Sequence, residues 1–276
     1  MRRSLVFVEK RAPLLISHRV PGRDPPALAY PTLDVISLRV EARAGSRASS
    51  VIARGPAEVR REVELVFDSL AREVLPTPVE IELKVSGARR LGAMTTTALA
   101  AHSIIIALER FFEVGFTREE RTSILAALLV ERGSTHTEAL ALANAIELDK
   151  PVIYSAAEGL LELEGEPVAL GGMRRVKLER LKGYPTYLLD YAAKLSARVV
   201  AALARLLPKL ASGEELSDED ITMLRSSNSL WHVLHGARVP MVNRERVKLT
   251  IPSLPGEAVE VEIRRVDGET RSEAGR

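Results

Sequence analysis

A glycine-bounded turn between a strand and a helix is the part of the sequence best suited to hold a phosphate. Alternation from Val79 to Val85 predicts a strand, and the apolar stretch from Thr95 to Phe112 predicts a buried helix. The first turn of a helix has unpaired N–H groups and a partial positive charge, which attract anions. Gly92 lets the backbone close on phosphate oxygens. The candidate side-chain ligands for phosphate or for a magnesium ion are the hydroxyls of Thr95, Thr96 and Thr97.

A simpler interpretation of the same turn stays open, in which Thr95 only caps the helix and Gly92 only closes the turn. The segment is not a Walker loop, because the Gly-Lys-Ser/Thr ending is absent. Arg89 and Arg90 lie within the turn, where two guanidinium groups could clamp an anionic substrate through paired hydrogen bonds. The alternative for these arginines is an ordinary solvated turn.

A polar loop between two apolar helices supplies the candidate general base. Thr117 to Glu120 reads as a capping box that opens the first helix, and a loop from Gly133 to Thr137 separates it from the second. Glu138, at the start of the second helix, is our candidate to accept the proton of a substrate hydroxyl, with His136 as a further acid or base. The alternatives are a favourable first-turn charge for Glu138 and a structural role for His136.

For the remaining histidines, the sequence favours a role in packing over a role in metal binding. His102 lies inside the buried helix, where a hydrogen-bonded core histidine is the common outcome. His232 and His235 are spaced as metal ligands on one helical face can be, but no third ligand is evident nearby. The sequence therefore predicts no metal cluster made of protein side chains, and a magnesium ion only through Thr95.

Composition narrows the class of protein. The 276 residues are 46% hydrophobic, contain no cysteine and have a net charge of +2. No disulfide framework or thiol chemistry is available, and no apolar run reaches the roughly 20 residues of a membrane span, so we expect a cytoplasmic protein. Dispersed charge and few aromatic residues give no reason to expect nucleic acid as a partner. Abundant charge without cysteine suits a thermophilic organism, although genome composition explains the arginine content equally well.

The predicted elements describe an α+β protein. We expect a loop from Arg11 to Pro31, a hairpin between Asp34–Arg43 and Arg47–Arg54, and a short strand from Arg175 to Glu179. Ser217 with Asp220 predicts the cap of a later helix, which should end at Gly236. The predicted boundary lies near Lys150, which gives an N-terminal phosphate-binding domain over residues 1–150 and a smaller α+β domain over 151–266. The polar residues 267–276 are expected to form a frayed tail.

Three segments resemble the small-molecule kinases of the GHMP superfamily. The stretch Leu91-Gly92-Ala93-Met94-Thr95-Thr96-Thr97-Ala98 is similar to that family's second motif, usually Gly-Leu-Gly-Ser-Ser-Ala-Ala at a helix start. Ala12-Pro13, His18 and the run from Pro26 to Ala29 resemble the family's opening, where a strand leads into substrate contacts. Glu131 to Glu138 stands where the family has a glycine-serine loop and, in some kinases, an aspartate base. The resemblance covers about residues 1–170.

The resemblance implies a two-lobed fold, with an N-terminal mixed sheet carrying buried helices and a smaller C-terminal lobe. It implies ATP and magnesium as cofactors, and phosphoryl transfer to a hydroxyl of a small anionic metabolite. Gly92 and the threonines would then hold phosphate, Glu138 would act as base, and the substrate would contact Arg89, Arg90 and His18. Met94 departs from the family pattern, and the third, glycine-rich motif is missing, since Leu249–Gly256 contains one glycine.

Two further functions follow from the same resemblance. The archaeal beta-ribofuranosylaminobenzene phosphate synthases use a phosphoribosyl substrate on this fold, and their loops are no less similar. A non-catalytic relative that binds a ligand or a protein is the other option. The oligomeric state stays open, with a homodimer among the alternatives.

Overall fold

The structure is a computed structural model that describes residues 3–45, 48–55, 57–73, 75–87, 93–176, 178–179, 183–243, 247–253 and 257–264. The strands in these ranges are β1 (Arg3–Ile16), β2 (Ala27–Ala44), β3 (Ser50–Arg54), β4 (Val79–Ser86), β5 (Val152–Ser155), β6 (Gly159–Glu162), β7 (Ala169–Val176), β8 (Val247–Pro252) and β9 (Ala258–Arg264). The helices are α1 (Ala57–Glu73), α2 (Ala93–Phe112), α3 (Arg118–Glu131), α4 (His136–Leu148), α5 (Thr186–Ser212) and α6 (Asp218–His235).

The long strand β2 organises a six-stranded mixed sheet. It pairs antiparallel with β1 along one edge and with β4 and β5 along the other, while β3 and β6 extend the sheet outward. Residues 152–162, which follow the predicted boundary at Lys150, are strands of this first sheet. The α+β fold class expected from the sequence is confirmed.

The predicted hairpin between β2 and the segment from Arg47 to Arg54 is wrong. The strand β3 pairs parallel with β4, with Ser50 opposite Glu80 and Arg54 opposite Lys84. Parallel neighbours need a crossover, which α1 supplies. The helix buries Val63, Val66 and Phe67 on the side that faces the core, as its apolar spacing predicts.

The predicted loop from Arg11 to Pro31 is wrong at both ends, because β1 continues to Ile16 and β2 begins at Ala27. Proline is usually confined to sheet edges and bulges. Here Pro13 lies opposite Pro31 in the β1–β2 ladder, next to a register shift between Arg11 and Pro13. The strand continues to Ile16 because Leu14, Leu15 and Ile16 are buried in the core.

Helices α2 and α4 pack on the first sheet, and α3 packs on α4 and α2. Apart from its last turn, α2 is buried over nearly its whole length, as its apolar sequence predicts. His102 is a hydrogen-bonded core histidine, with its Nε2 2.8 Å from Glu147 Oε1. Arg121 from α3 also donates to Glu147, at 2.9 Å, so one carboxylate joins three helices. Burial raises the Glu147 pKa, but these two hydrogen bonds outweigh burial and bring it to about 2.

A second sheet in the order β7-β9-β8 carries α5 and α6. Its first strand begins at Ala169, earlier than the segment from Arg175 to Glu179 that the sequence predicts. The two sheets meet where Leu33 N donates to Val168 O at 2.9 Å and Val168 N donates to Pro31 O at 3.1 Å. A large hydrophobic core runs through both sheets, and a small second cluster contains Trp231, Ala237 and Ala258. The frayed tail predicted for 267–276 lies outside the described residues.

Helix boundaries follow the capping residues in the sequence. Thr117 with Glu120, and Ser217 with Asp220, form the predicted capping boxes at the starts of α3 and α6. Gly236 ends α6 in a left-handed conformation, as expected from its position. Of the helices in the described ranges, none combines the length and apolarity needed to cross a membrane.

Gly87 ends β4 in a conformation that only glycine accepts easily. Its φ is +89°, and an added Cβ would lie 2.4 Å from the carbonyl oxygen of Val35. We expect Gly87→Ala to lower the free energy of unfolding by more than about 3 kcal/mol, because β2 and β4 must move apart. The matched control is Gly22→Ala, where φ is +66° but nothing lies within 4 Å. It should cost about 1–2 kcal/mol. Urea unfolding followed by circular dichroism measures both, and equal losses would contradict the steric account.

Candidate functional site

The start of α2 carries two buried hydroxyls that have no hydrogen-bond partner among the described residues. Thr95 donates its hydroxyl to the carbonyl of Pro13 at 3.1 Å, which fastens α2 to β1 and occupies the group expected to reach magnesium. The hydroxyls of Thr96 and Thr97 are buried without a hydrogen bond to this part of the chain. A buried polar group without a partner is costly, so these two oxygens are ready to accept or donate. The predicted site residues Arg89, Arg90 and Gly92 lie outside the described residues.

The start of α4 positions Glu138 through its own capping. The helix begins at His136, two residues earlier than predicted, because Thr135 is the N-cap. Thr135 Oγ1 accepts the Glu138 amide and the Glu138 carboxylate accepts the Thr135 amide, both at 3.2 Å. Asp24 also caps this turn by accepting from the Thr137 amide at 3.2 Å. The carboxylate of Glu138 is thereby turned back toward the loop that follows β1.

Glu138 is fully buried, and its charge is balanced by Arg19. The Nε of Arg19 lies 3.0 Å from Oε1 and 3.2 Å from Oε2 of Glu138. The hydroxyl of Ser17 donates to Oε1. With the capping amide, these donors engage both carboxylate oxygens.

Arg19 joins this carboxylate to the rest of the site. Its Nη2 donates to the carbonyl of Ser253, just after β8, at 2.8 Å. The same nitrogen lies 3.9 Å from the sulfur of Met94 at the start of α2, and the Ser134 hydroxyl lies 3.4 Å from that sulfur. The structure therefore brings Glu138 to the amino end of α2, through a guanidinium that also touches the second sheet.

The sequence did not predict Arg19, Ser17 and Ser253 as residues of the candidate site. One signal was present: Ser17-His18-Arg19 is a polar triplet that directly follows the apolar run from Leu14 to Ile16. Such a triplet at a strand end, in a loop rich in glycine and proline, is a common position for functional side chains. Nothing in the sequence marks the carbonyl of Ser253.

His18 has a different environment from the substrate contact that the resemblance implied. It is completely buried, with Nδ1 3.0 Å from the Ser196 hydroxyl and Nε2 2.9 Å from the Ser227 hydroxyl. Burial lowers its pKa to about 3, despite the opposing interaction with Ser227. His18 thus fastens the end of β1 to α5 and α6, and both of its nitrogens are already engaged.

His136 and Glu138 are not brought together. His136 is exposed, and its ring meets that of Tyr154 edge-on with 6.2 Å between centroids. Residues two apart on a helix point about 200° away from each other, so the imidazole lies on the other side of α4 from the carboxylate. A different histidine, His235, bonds to the backbone of Arg19. Burial lowers the His235 pKa, and the charge of Arg19 lowers it further, against the backbone bond and the charge of Glu138.

Comparison with known proteins identifies the fold. No family model matches the sequence, and no curated protein matches it significantly. Among solved structures, mevalonate pyrophosphate decarboxylase from Streptococcus pyogenes has a TM-score of 0.55 at 7% identity, over 100% of this chain and 94% of that one. Mevalonate kinase from Methanococcus jannaschii has a TM-score of 0.53 at 13% identity, over 98% of this chain and 93% of that one. The fold is that of the GHMP kinases.

A third similar structure holds its ligands. Phosphomevalonate kinase from Streptococcus pneumoniae, in complex with phosphomevalonate and AMPPNP, has a TM-score of 0.51 at 12% identity, over 97% of this chain and 94% of that one. At these identities the likeness concerns the GHMP-kinase fold alone. Within the described ranges, no three His, Asp or Glu side chains are grouped as a metal site.

The buried state of His18 predicts a pH-dependent stability. Its pKa is about 3 in the folded chain and about 6.5 when unfolded, so between these values only the unfolded chain takes up the proton. Stability is therefore complete above pH 6.5 and falls on acidification, by up to about 1.4 kcal/mol per pH unit from this group.

The variant His18→Gln should lose the part of the pH dependence of the unfolding free energy that comes from His18, whatever its stability at pH 7. Urea unfolding at pH 7, 6 and 5 measures the slope for the wild type and the variant. The control His136→Gln removes an exposed histidine and should keep the wild-type slope. If His18→Gln and wild type have the same slope, the buried neutral state is refuted.

Proposed function

We propose that this chain transfers a phosphoryl group from ATP to a hydroxyl of a small anionic metabolite. The observation that carries the proposal is the meeting of Glu138 and Arg19 beside Met94 at the amino end of α2. A carboxylate, a cation and a helix start in one place are the groups that phosphoryl transfer needs, since its catalysis is mainly positioning and charge neutralisation.

The phosphates of the nucleotide would lie against the first turn of α2. Its free N–H groups and partial positive charge favour an anion, and the unpartnered hydroxyls of Thr96 and Thr97 fit phosphate oxygens. Thr95 is already bonded to Pro13, so a magnesium ion would be held mainly by the phosphates themselves. ATP supplies the transferred group. Arg89 and Arg90 stay proposed contacts of the anionic substrate.

Glu138 would take the proton of the acceptor hydroxyl. The O–H bond of the acceptor breaks, its oxygen bonds to the γ-phosphorus, and the bond to the bridging oxygen breaks to release ADP. The Ser17 hydroxyl already donates to Glu138 Oε1, which is the geometry that an acceptor hydroxyl needs. Displacement of Ser17 by the acceptor would present the carboxylate to its substrate, while Arg19 keeps the charge in place.

A non-catalytic ligand-binding role is the second candidate, and the burial of Glu138 favours it. The carboxylate is 0% exposed, and both of its oxygens have donors. A carboxylate held in this way also serves as a structural tie between α4 and β1. The loss of the third glycine motif near Leu249–Gly256 points the same way.

Binding of ATP tests the phosphate site. Thr96→Val keeps the side-chain shape but removes the hydroxyl, and should weaken ATP binding roughly ten- to a hundredfold, as the loss of a hydrogen bond to a charged group does. Thr122→Val is the matched control, because Thr122 also has a buried hydroxyl without a partner in the described ranges but lies in α3. Calorimetric titration with magnesium present measures both. No heat from wild type with millimolar ATP would reject the kinase proposal. Phosphoribosyl pyrophosphate is titrated in parallel to test the alternative of a phosphoribosyl transferase.

Turnover of a Glu138 variant tests the base. Labelled ATP is offered with hydroxylated acids, beginning with mevalonate and phosphomevalonate, the ligands named for the similar structures. Glu138→Gln should lower kcat by roughly 10²–10⁴-fold, with little change in ATP affinity. Glu109→Gln, a buried glutamate paired with Arg121, controls for loss of stability. ATP binding by wild type without transfer to any acceptor, or unchanged kcat in Glu138→Gln, would favour the non-catalytic role.

A further inference from the structure

Four basic side chains converge on a cavity in the second sheet, away from Glu138. The cavity has a volume of about 580 Å³ and lies between α6, the sheet and the loop that follows Gly236. Its charged lining residues come from four elements and the loop: Arg174 from β7, Arg225 from α6, Arg238 from the loop, Lys248 from β8 and Glu260 from β9.

The positive charge of this cavity is not balanced by its own residues. Lys248 is paired with Glu260 at 3.2 Å, and Arg225 donates to the carbonyl of Val242 at 3.3 Å. The guanidinium groups of Arg174 and Arg238 make no hydrogen bond or ion pair with the described part of the chain. The lining therefore has four cations and one anion, and two guanidinium groups with all their donors free.

Like charges gathered in a concavity repel each other and focus a positive potential. An anion relieves this repulsion, and a guanidinium matches the oxygens of a phosphate through two parallel hydrogen bonds. The cavity also has an apolar side, because Val239 and Met241 line it and are 42% and 77% exposed. Its volume is in the range of small-molecule sites and exceeds what an inorganic ion needs.

We propose that this cavity binds a small organic phosphate. The phosphate lies between Arg174 and Arg238, and the organic part rests on Val239 and Met241. The site is separate from the α2 start: Lys248 is the second residue of β8, whereas Ser253, which Arg19 contacts, follows the end of this strand. Five residues of strand separate these positions by about 17 Å. The inference therefore does not depend on the proposed kinase activity.

The two sites share the helix α6. Arg225 and Ser229 line the cavity, while Ser227 between them bonds to His18, the neighbour of Arg19. A phosphate bound in the cavity thus lies against the same helix that fixes the loop after β1.

Calorimetric titration of the full chain with inorganic pyrophosphate tests the charged part of the site. We expect one saturable site whose Kd rises at least tenfold in the double variant Arg174→Gln/Arg238→Gln. The matched control is Arg60→Gln/Arg61→Gln, which removes the same charge from exposed positions of α1 and should leave the cavity-dependent Kd unchanged. Thr96→Val identifies any pyrophosphate bound at the α2 start, because only that binding should weaken.

The melting temperature without ligand separates binding from folding. Because Arg174 and Arg238 lack partners within the described ranges, the double variant should melt at the wild-type temperature or higher. Butyl phosphate should bind more tightly than inorganic phosphate, and Met241→Ser should remove that difference. The proposal is overturned if wild type binds no pyrophosphate, if the cavity variant binds like wild type, or if the α1 control loses affinity equally.

Discussion

The ion pair between Arg19 and Glu138 is the interaction on which the site depends. A charge buried in a protein interior is costly unless it meets an opposite charge and further hydrogen bonds. Glu138 meets these conditions through Arg19, Ser17 and its own capping box, and Arg19 meets them through Glu138 and the carbonyl of Ser253. Neither group can move without leaving the other unpaired. The pair therefore holds four parts of the chain in one arrangement: the starts of α2 and α4, the end of β1 and the end of β8.

The same pair limits what the site can do. Ser17 and Arg19 saturate the carboxylate, so an incoming hydroxyl must replace a donor that the chain itself supplies. A cation that is satisfied internally differs in this respect from Arg174 and Arg238, whose donors face an open cavity. In the proposed reaction, the site at Glu138 would exchange one hydroxyl for another, whereas the proposed site beside α6 would receive charge.

Local patterns in the sequence predicted most elements but not their partners. Alternation identified β4, apolar content identified α2, and the pairs Thr117–Glu120 and Ser217–Asp220 marked helix starts. These features depend on neighbours in the chain. The parallel pairing of β3 with β4 depends instead on a crossover through α1, which no local pattern specifies. The prolines of β1 and β2 were misread for the same reason, since only the facing strand shows that they lie opposite each other.

The candidate site was predicted in the same partial way: features set by neighbouring residues could be found from the sequence, and long-range pairings could not. Glu138 could be selected from the sequence because its polar loop interrupts two apolar helices. Its partner Arg19 lies 119 residues earlier, and its second contact, Ser253, is a backbone carbonyl of a distant turn. Side-chain type and spacing cannot reveal a pairing that only the folded chain creates. The sequence did not predict the surroundings of His18, because its two serine partners come from α5 and α6, which no neighbouring residue indicates.

The pairing of β2 with β5 imposes an order on folding. Ala27, Leu28 and Ala29 bond to Tyr154, Ile153 and Val152, across about 125 residues of chain that include four helices. A contact of such long range forms only after the intervening loop has been closed, which slows folding. During synthesis, the hairpin of β1 with β2 can form early, but the other edge of β2 at Ala27–Ala29 stays unpaired until β5 has left the ribosome. A nascent chain would therefore expose Ala27 to Ala29, which the finished protein buries completely, while about 125 further residues are made.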